Sequence, residues 1–288
     1  INDAKIQGVE ILPPSIAKGN LIFEILGDRK IAFGLGSIKG IGPSSLKQLL
    51  SCKASSYKEF VLIAIKERVK KTVIEGLIWS GALDDFGVGR YDMAADFQLI
   101  WGLTDKELAQ ILDAFIGDSS IKEAVEYLSD SSTVEDRKIL GEHTPNKKRC
   151  ITIRELLIEN DKFRSTRTVE GILAREKCLL GITISGSEAD LYGSSYAVND
   201  CMEFIDAPNE TKFRFIVVIE KVRFHYDKNK NKMAFLIVGD SSYMIEQAVI
   251  FASKWFKFGH LIDEGRVVIL NGVKNNGSLI IDSVREIR

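Results

Sequence analysis

The sequence predicts an α+β multidomain chain: all-α on its N-terminal side, helical and acidic in the middle, and a β-barrel at its C-terminal end. Three observations carry this. Between residues 34 and 99 apolar side chains recur at helical spacing, punctuated by glycine turns. From residue 212 the pattern changes to β-branched and aromatic runs broken by Asn/Asp/Lys and Asn-Gly turns. The charge is also segmented. Residues 29–90 carry 11 Lys/Arg against 5 Asp/Glu, residues 91–211 carry 13 against 23, and residues 212–288 carry 13 against 8. A formal net charge of −1 hides two basic blocks around an acidic one.

A chain of 288 residues has room for two or three domains. No run of about 18 apolar residues is present, so no membrane contact is expected. The N-terminus has no secretory pattern, and a chain beginning at Ile1 reads as a fragment. The four cysteines form no C-x-x-C pair and the three histidines are dispersed, so a reducing compartment is expected and no metal site.

Residues 1–28 hold a Leu12-Pro13-Pro14 break and read as the tail of a preceding domain. The densest signal follows, from Gly34 to Ser45: four glycines, Lys39 and three hydroxyls around Ile38 and Ile41. It predicts a short helix, a tight turn at Gly40-Ile41-Gly42, and a new helix opened by Pro43. Glycine permits a positive φ and a close approach of backbone to another surface. The amides of Gly42, Ser44 and Ser45 would leave a helix N-terminus unpaired and suited to a phosphate. Lys39 and Lys47 add charge. This is the logic of a helix-hairpin-helix, which grips a nucleic-acid backbone without reading bases.

Helices are expected over 44–50, 57–65 and 66–80, with a further helix over 91–99. The turn at Ser80-Gly81-Ala82 between the last two reads as a degenerate second hairpin, with Gly81 as its contact. Residues 29–105 therefore form a tandem hairpin domain. Residues 106–211 form an acidic helical connection, with the polar stretch 129–149 as its linker.

In residues 212–288 three strands, a short helix and two strands give the order of a five-stranded OB-fold. Lys228, Lys230 and Lys232 lie in the loop between its first two strands, beside Phe224 and Tyr226. Lysines track phosphates and aromatics stack bases in such folds, which makes Tyr226 the stacking candidate. Phe213, Phe215, Phe235 and Phe251 are expected in the core.

Several runs are similar to those of one family: Val9-Glu10-Ile11-Leu12-Pro13-Pro14, Phe33-Gly34-Leu35-Gly36-Ser37-Ile38-Lys39-Gly40-Ile41-Gly42, Ile74-Glu75-Gly76-Leu77-Ile78-Trp79-Ser80-Gly81-Ala82-Leu83-Asp84, and Glu176-Lys177-Cys178-Leu179-Leu180-Gly181-Ile182-Thr183-Ile184-Ser185-Gly186. In this order they resemble the C-terminal region of the bacterial replicative DNA polymerase III alpha subunits, the C-family polymerases. The resemblance implies that residues 1–28 end a fingers-like domain, that the hairpin domain holds duplex DNA, and that the OB domain meets single-stranded template. It also implies that the catalytic carboxylates and their Mg²⁺ lie in a part upstream, so this fragment alone is expected to hold no catalytic residue and no cofactor and to be inactive.

The chain departs from the family at Gly186-Ser187-Glu188, where Gly-His-Pro is usual, a divergence that suits a phage-encoded relative. A bacterial or phage-infected cytoplasm is the expected location. The family also implies a sliding-clamp peptide. Its nearest match is Gln110-Ile111-Leu112-Asp113-Ala114-Phe115, with Gln110, Leu112 and Phe115 as contacts and Ala114 where leucine is wanted. Two rival readings stand beside the polymerase one: an interaction module that docks a sliding clamp or clamp-loader subunit, and a free-standing single-stranded DNA-binding accessory.

Overall fold

The computed structural model describes residues 9–19, 21–27, 29–114, 120–130, 132–192, 196 and 198–287. They fall into two compact units. One joins Pro13–Glu24 to Ala32–Thr168; the other is built mainly on Val169–Arg288, with short segments from nearer the N-terminus. Short strands β1 (Glu10–Leu12), β2 (Glu24–Ile25) and β3 (Lys30–Ala32) precede the helices.

The first unit is helical: α1 (Pro43–Ser51), α2 (Tyr57–Lys66), α3 (Lys71–Trp79), α4 (Arg90–Trp101), α5 (Asp105–Ala114), α6 (Ile121–Ser129), α7 (Val134–Ile139) and α8 (Lys147–Ser165). Local chemistry sets several starts. The Ser56 hydroxyl accepts from the Glu59 amide at the head of α2, Ser120 and Glu123 form a reciprocal capping box on α6, and Asn146 caps α8. The core gathers Phe60, Ile74, Leu77, Ile78, Met93 and Phe97, all nearly inaccessible. Polar contacts then fix α8 against α4. The buried Asn160 amide donates to Ala95 O at 2.7 Å, and Arg164 reaches Asp92 at 3.1 Å and Asp96 at 2.5 Å.

The stretch 129–149, expected as a linker, contains α7, and its Arg137 is fully buried. Arg137 donates to Leu128 O at 3.0 Å and Asp130 O at 2.7 Å, so a charged side chain ties this polar segment to the preceding helix end.

The second unit begins with α9 (Val169–Leu180), continues through the short α10 (Glu203–Asp206) and ends in a closed barrel. Its strands are β4 (Lys212–Tyr226), β5 (Lys232–Gly239), β6 (Met244–Ile250), β7 (Val267–Asn275) and β8 (Ser278–Glu286), with α11 (Ala252–Phe258) between β6 and β7. The order around the barrel is β4-β5-β6-β8-β7. β7 closes antiparallel on β4 through Phe215↔Leu270, while β6 and β8 pair parallel through Ala248↔Leu279. This is the five-stranded arrangement anticipated from the strand pattern, consistent with an OB fold.

Inward-facing residues alternate along each strand, and Phe213, Phe215, Leu236, Ile245, Leu270 and Ile281 share one core. Phe213 and Phe215 stack with ring centroids 5.0 Å apart. Phe235 and Phe251, expected beside them, are instead 41% and 46% exposed. Phe235 pairs with Arg223 and Val249 on the outer side of the wall.

Candidate nucleic-acid interface

The first hairpin is a turn bolted to a helix. The Ile41 amide donates to Ile38 O at 3.1 Å, and Gly40 takes φ +89°. That places Gly40 at the third position of a type II turn, where only a residue without Cβ sits unstrained. Ile38 and Ile41 are buried, and both approach Gly76 of α3, where the missing side chain leaves room for them. Gly34 is required for a different reason: a Cβ there would collide with the backbone of Ile22.

Gly42 caps α1 in extended conformation, and the first intrahelical bond runs from the Leu46 amide to Gly42 O at 3.0 Å. The amides of Ser44 and Ser45 precede that bond and so lie among the unpaired donors of a helix N-terminus. No acidic residue occupies the first turn of α1. Lys39, Gly40, Ser44 and Lys47 are exposed, Gly42 and Ser45 half-buried, and both Gly40 and Gly42 face open space. The residues singled out in this motif are therefore brought together on one rim.

The second hairpin is built differently. Gly81 takes φ +82° but is buried, and its amide donates to Ile78 O at 3.3 Å. It lies beneath the Arg90 guanidinium, which is itself buried and grips both carboxylate oxygens of Asp84 at 2.7–3.1 Å. Arg90 also donates to Trp79 O at 3.3 Å. Gly81, expected as a direct contact, is thus placed inside the turn, with its amide bonded to Ile78 O and Arg90 above it. Asp85 has a separate partner, accepting from the Ser15 hydroxyl. The adjacent Asp84 and Asp85 carboxylates are thereby held by different groups. Among the described residues no cluster of three or more His, Cys, Asp or Glu could hold a metal.

In the acidic middle, Glu107 is buried and bridged by Arg149 at 2.7 Å and 2.8 Å. Burial alone would raise its carboxyl, but the Arg149 guanidinium and the Thr104 amide outweigh burial and hold it below the ordinary range. The Gln110 amide donates to Glu142 at 2.9 Å, and its Oε1 is buried without a partner among the described residues. The Leu112 side chain and Phe115 lie outside the described residues.

At the barrel, the loop between β4 and β5 is organised by Asp227. Its carboxylate accepts from the Asn229 and Asn231 amides at 2.8 Å, which lowers its pKa, and Lys230 closes the turn at φ +63°. Lys228 and Lys230 project from this tip, exposed and without an ion pair among the described residues. Lys232 behaves otherwise. It is the first residue of β5, and its ammonium folds back over the rings of Phe224 at 3.8 Å and Trp255 at 4.9 Å.

Beside it runs a groove lined by Tyr226, Lys230, Lys232, Phe251, Trp255 and Phe256. Tyr226 is 61% exposed and Phe256 is 96% exposed. The α11 aromatics were not picked out from the sequence, because apolar residues at helical spacing read as core. The available signal was the run Trp255-Phe256-Lys257-Phe258, which mixes aromatics with a lysine and so cannot be buried all round.

Comparison with known proteins agrees with this architecture. The family described as the helix-hairpin-helix motif matches residues 8–93. The chain is 27% identical to the DNA polymerase III subunit alpha of Aquifex aeolicus over 282 residues, covering 94% of this chain and 20% of that protein. It is 24% identical to the Bacillus subtilis subunit over 276 residues, covering 94% and 22%. The Neisseria meningitidis subunit is 32% identical over 113 residues, 38% of this chain and 10% of that one. The chain thus spans about a fifth of the length of the first two relatives. The hairpin unit, the closed barrel after it and similarity along nearly the whole chain together make it similar to a part of the DNA polymerase III alpha subunits.

Proposed function

We propose that this chain is the DNA-holding part of a replicative polymerase alpha subunit. The first hairpin grips duplex phosphates through the backbone at Gly40, Gly42, Ser44 and Ser45, aided by Lys39 and Lys47. The barrel meets single-stranded template through Lys228 and Lys230, with Tyr226 stacking a base. Lys232 acts here by orienting Phe224 and Trp255. The observation that carries the reading is the open rim at Gly40 and Gly42, where unpaired helix amides, two exposed lysines and the absence of any side chain converge. Such a rim fits a phosphate and gives a base nothing to read. Nucleotidyl transfer and its Mg²⁺ belong, in this reading, to another part of the polymerase. A sliding clamp and a clamp loader are the protein partners to test, and the bacterial cytoplasm is the setting.

Anisotropy titration of labelled single-stranded DNA, duplex and primer–template junction over a salt series tests the reading. Tightest binding to the junction is expected. The two lysines of the rim, Lys39 and Lys47, neutralise two phosphates and give a log–log salt slope of about −2 on duplex. Absence of binding to all three at low salt would overturn the proposal and turn attention to clamp and loader proteins.

A further inference from the structure

The barrel carries a second cationic site, on a stretch of wall far along β4 from the lysine loop. Because Phe215 faces the core, Arg214 faces outward, and it sits opposite Asn271 of β7. Arg285 of β8 sits opposite Ile269, the next outward position of β7. The two arginines line one pocket with Tyr196 and His260, over a floor that includes the buried Ile269. Neither arginine forms an ion pair with a carboxylate among the described residues, and Arg214 Nε is buried without a hydrogen-bond partner among them. A carboxylate is close at hand, since Glu286 lines the same pocket, but it is bonded to Arg266. Two guanidinium groups sharing a pocket repel each other, and an internal acid that could offset them is engaged elsewhere.

We propose that this pocket is a phosphate-binding site, with Arg214 and Arg285 as its paired ligands. A tetrahedral phosphate offers oxygens to two planar forks at once, which a lysine pair could not match. Two sources have this chemistry: the phosphodiester of a nucleic-acid strand, and free inorganic phosphate. The site does not rest on the loop reading above, because it uses none of the same residues.

The test uses the full chain. Inorganic phosphate is titrated while the arginine Nε–H signals are followed by NMR, and oligothymidylate affinity is measured over a salt series. If the source is a nucleic-acid strand, Arg214→Gln with Arg285→Gln reduces the salt slope by about 1.4, two contacts at about 0.7 each on single strands. Saturable phosphate shifts with an unchanged slope identify free phosphate. No saturable shift together with an unchanged slope overturns the proposal. If the Gln pair fails to fold, Arg214→Lys with Arg285→Lys keeps the charge and loses the fork, and a phosphate midpoint raised about tenfold is expected; an unchanged midpoint overturns the proposal. Lys228→Gln with Lys230→Gln serves as the parallel arm. Should the wild type bind no oligothymidylate at all, the loop reading fails while the phosphate titration still decides this one.

Discussion

Arg90 holds both carboxylate oxygens of Asp84 from a buried position directly over Gly81. This pair closes the second hairpin, and the glycine exists to leave space for it. Losing Asp84 strands the buried guanidinium, whereas Asp84, 40% exposed, stays hydrated if Arg90 is lost. Asp84→Ala is expected to destabilise the helical unit by about 3 kcal/mol, read as a drop in the denaturant midpoint at constant m-value. Gly81→Ala, which would collide with Arg90 Nη2 and force a side chain into a left-handed φ, should cost about 2 kcal/mol or more. A loss below about 0.5 kcal/mol for both variants would show that the pair does not organise the turn.

Gly40 makes the opposite case. It shares the positive φ, but nothing lies within 4 Å of where its Cβ would be. Gly40→Ala is expected to cost only about 1–2 kcal/mol of stability while lowering duplex affinity, because the methyl stands between backbone and phosphate. Lys39→Glu should weaken duplex binding equally across sequences, checked on a panel of unrelated duplexes. A sequence-dependent loss would argue against backbone-only contact.

Phe256 is almost wholly exposed beside Tyr226 on the barrel groove. A stacked base contributes about 1–3 kcal/mol, so Phe256→Ala and Tyr226→Ala should each weaken single-strand binding about fivefold or more. Thermal stability should be unchanged for Phe256→Ala, since that ring buries little in the fold. Unchanged affinity in both variants would remove the groove from the binding path.

Glu107 supplies a pH dependence. Its carboxyl is held below its ordinary value by Arg149 and Thr104 despite burial. A depressed folded-state pKa contributes stability that is present above the unfolded value and is lost as pH falls through the folded one. The helical unit should therefore lose stability below about pH 4.5, the ordinary glutamate value. Glu107→Gln should be less stable at pH 7 and flatter across the acid range, followed by helical circular dichroism. A wild-type acid limb as steep as that of the variant would contradict the assignment.

The legible parts of this protein were those governed by local chemistry. The first hairpin follows from Gly40 at a turn position and Pro43 at a helix start, both constraints acting within a few bonds. The barrel follows from the period of the apolar residues and the turns at Asp227 and Asn276-Gly277, again over short range. Strand order, including the parallel β6–β8 pair, conforms to a closure that the run of strands and one intervening helix already suggested.

The roles of individual side chains were less legible, because burial depends on partners distant in sequence. Gly81 looked like a backbone contact until Arg90 folded over it. Lys232 looked like a loop cation, but Trp255, brought beside Phe224 by the barrel's closure, draws its ammonium back onto two ring faces. Arg137 occupies a polar stretch that composition reads as a linker, and two carbonyls at a helix end take it inside. The sequence by itself determined the hairpin turns, most of the helices and the run of barrel strands, while α7 lies in a stretch that it presents as a linker. Only the tertiary structure decided which polar and aromatic side chains remain facing water, since that depends on which surfaces, far apart along the chain, come to share the same space.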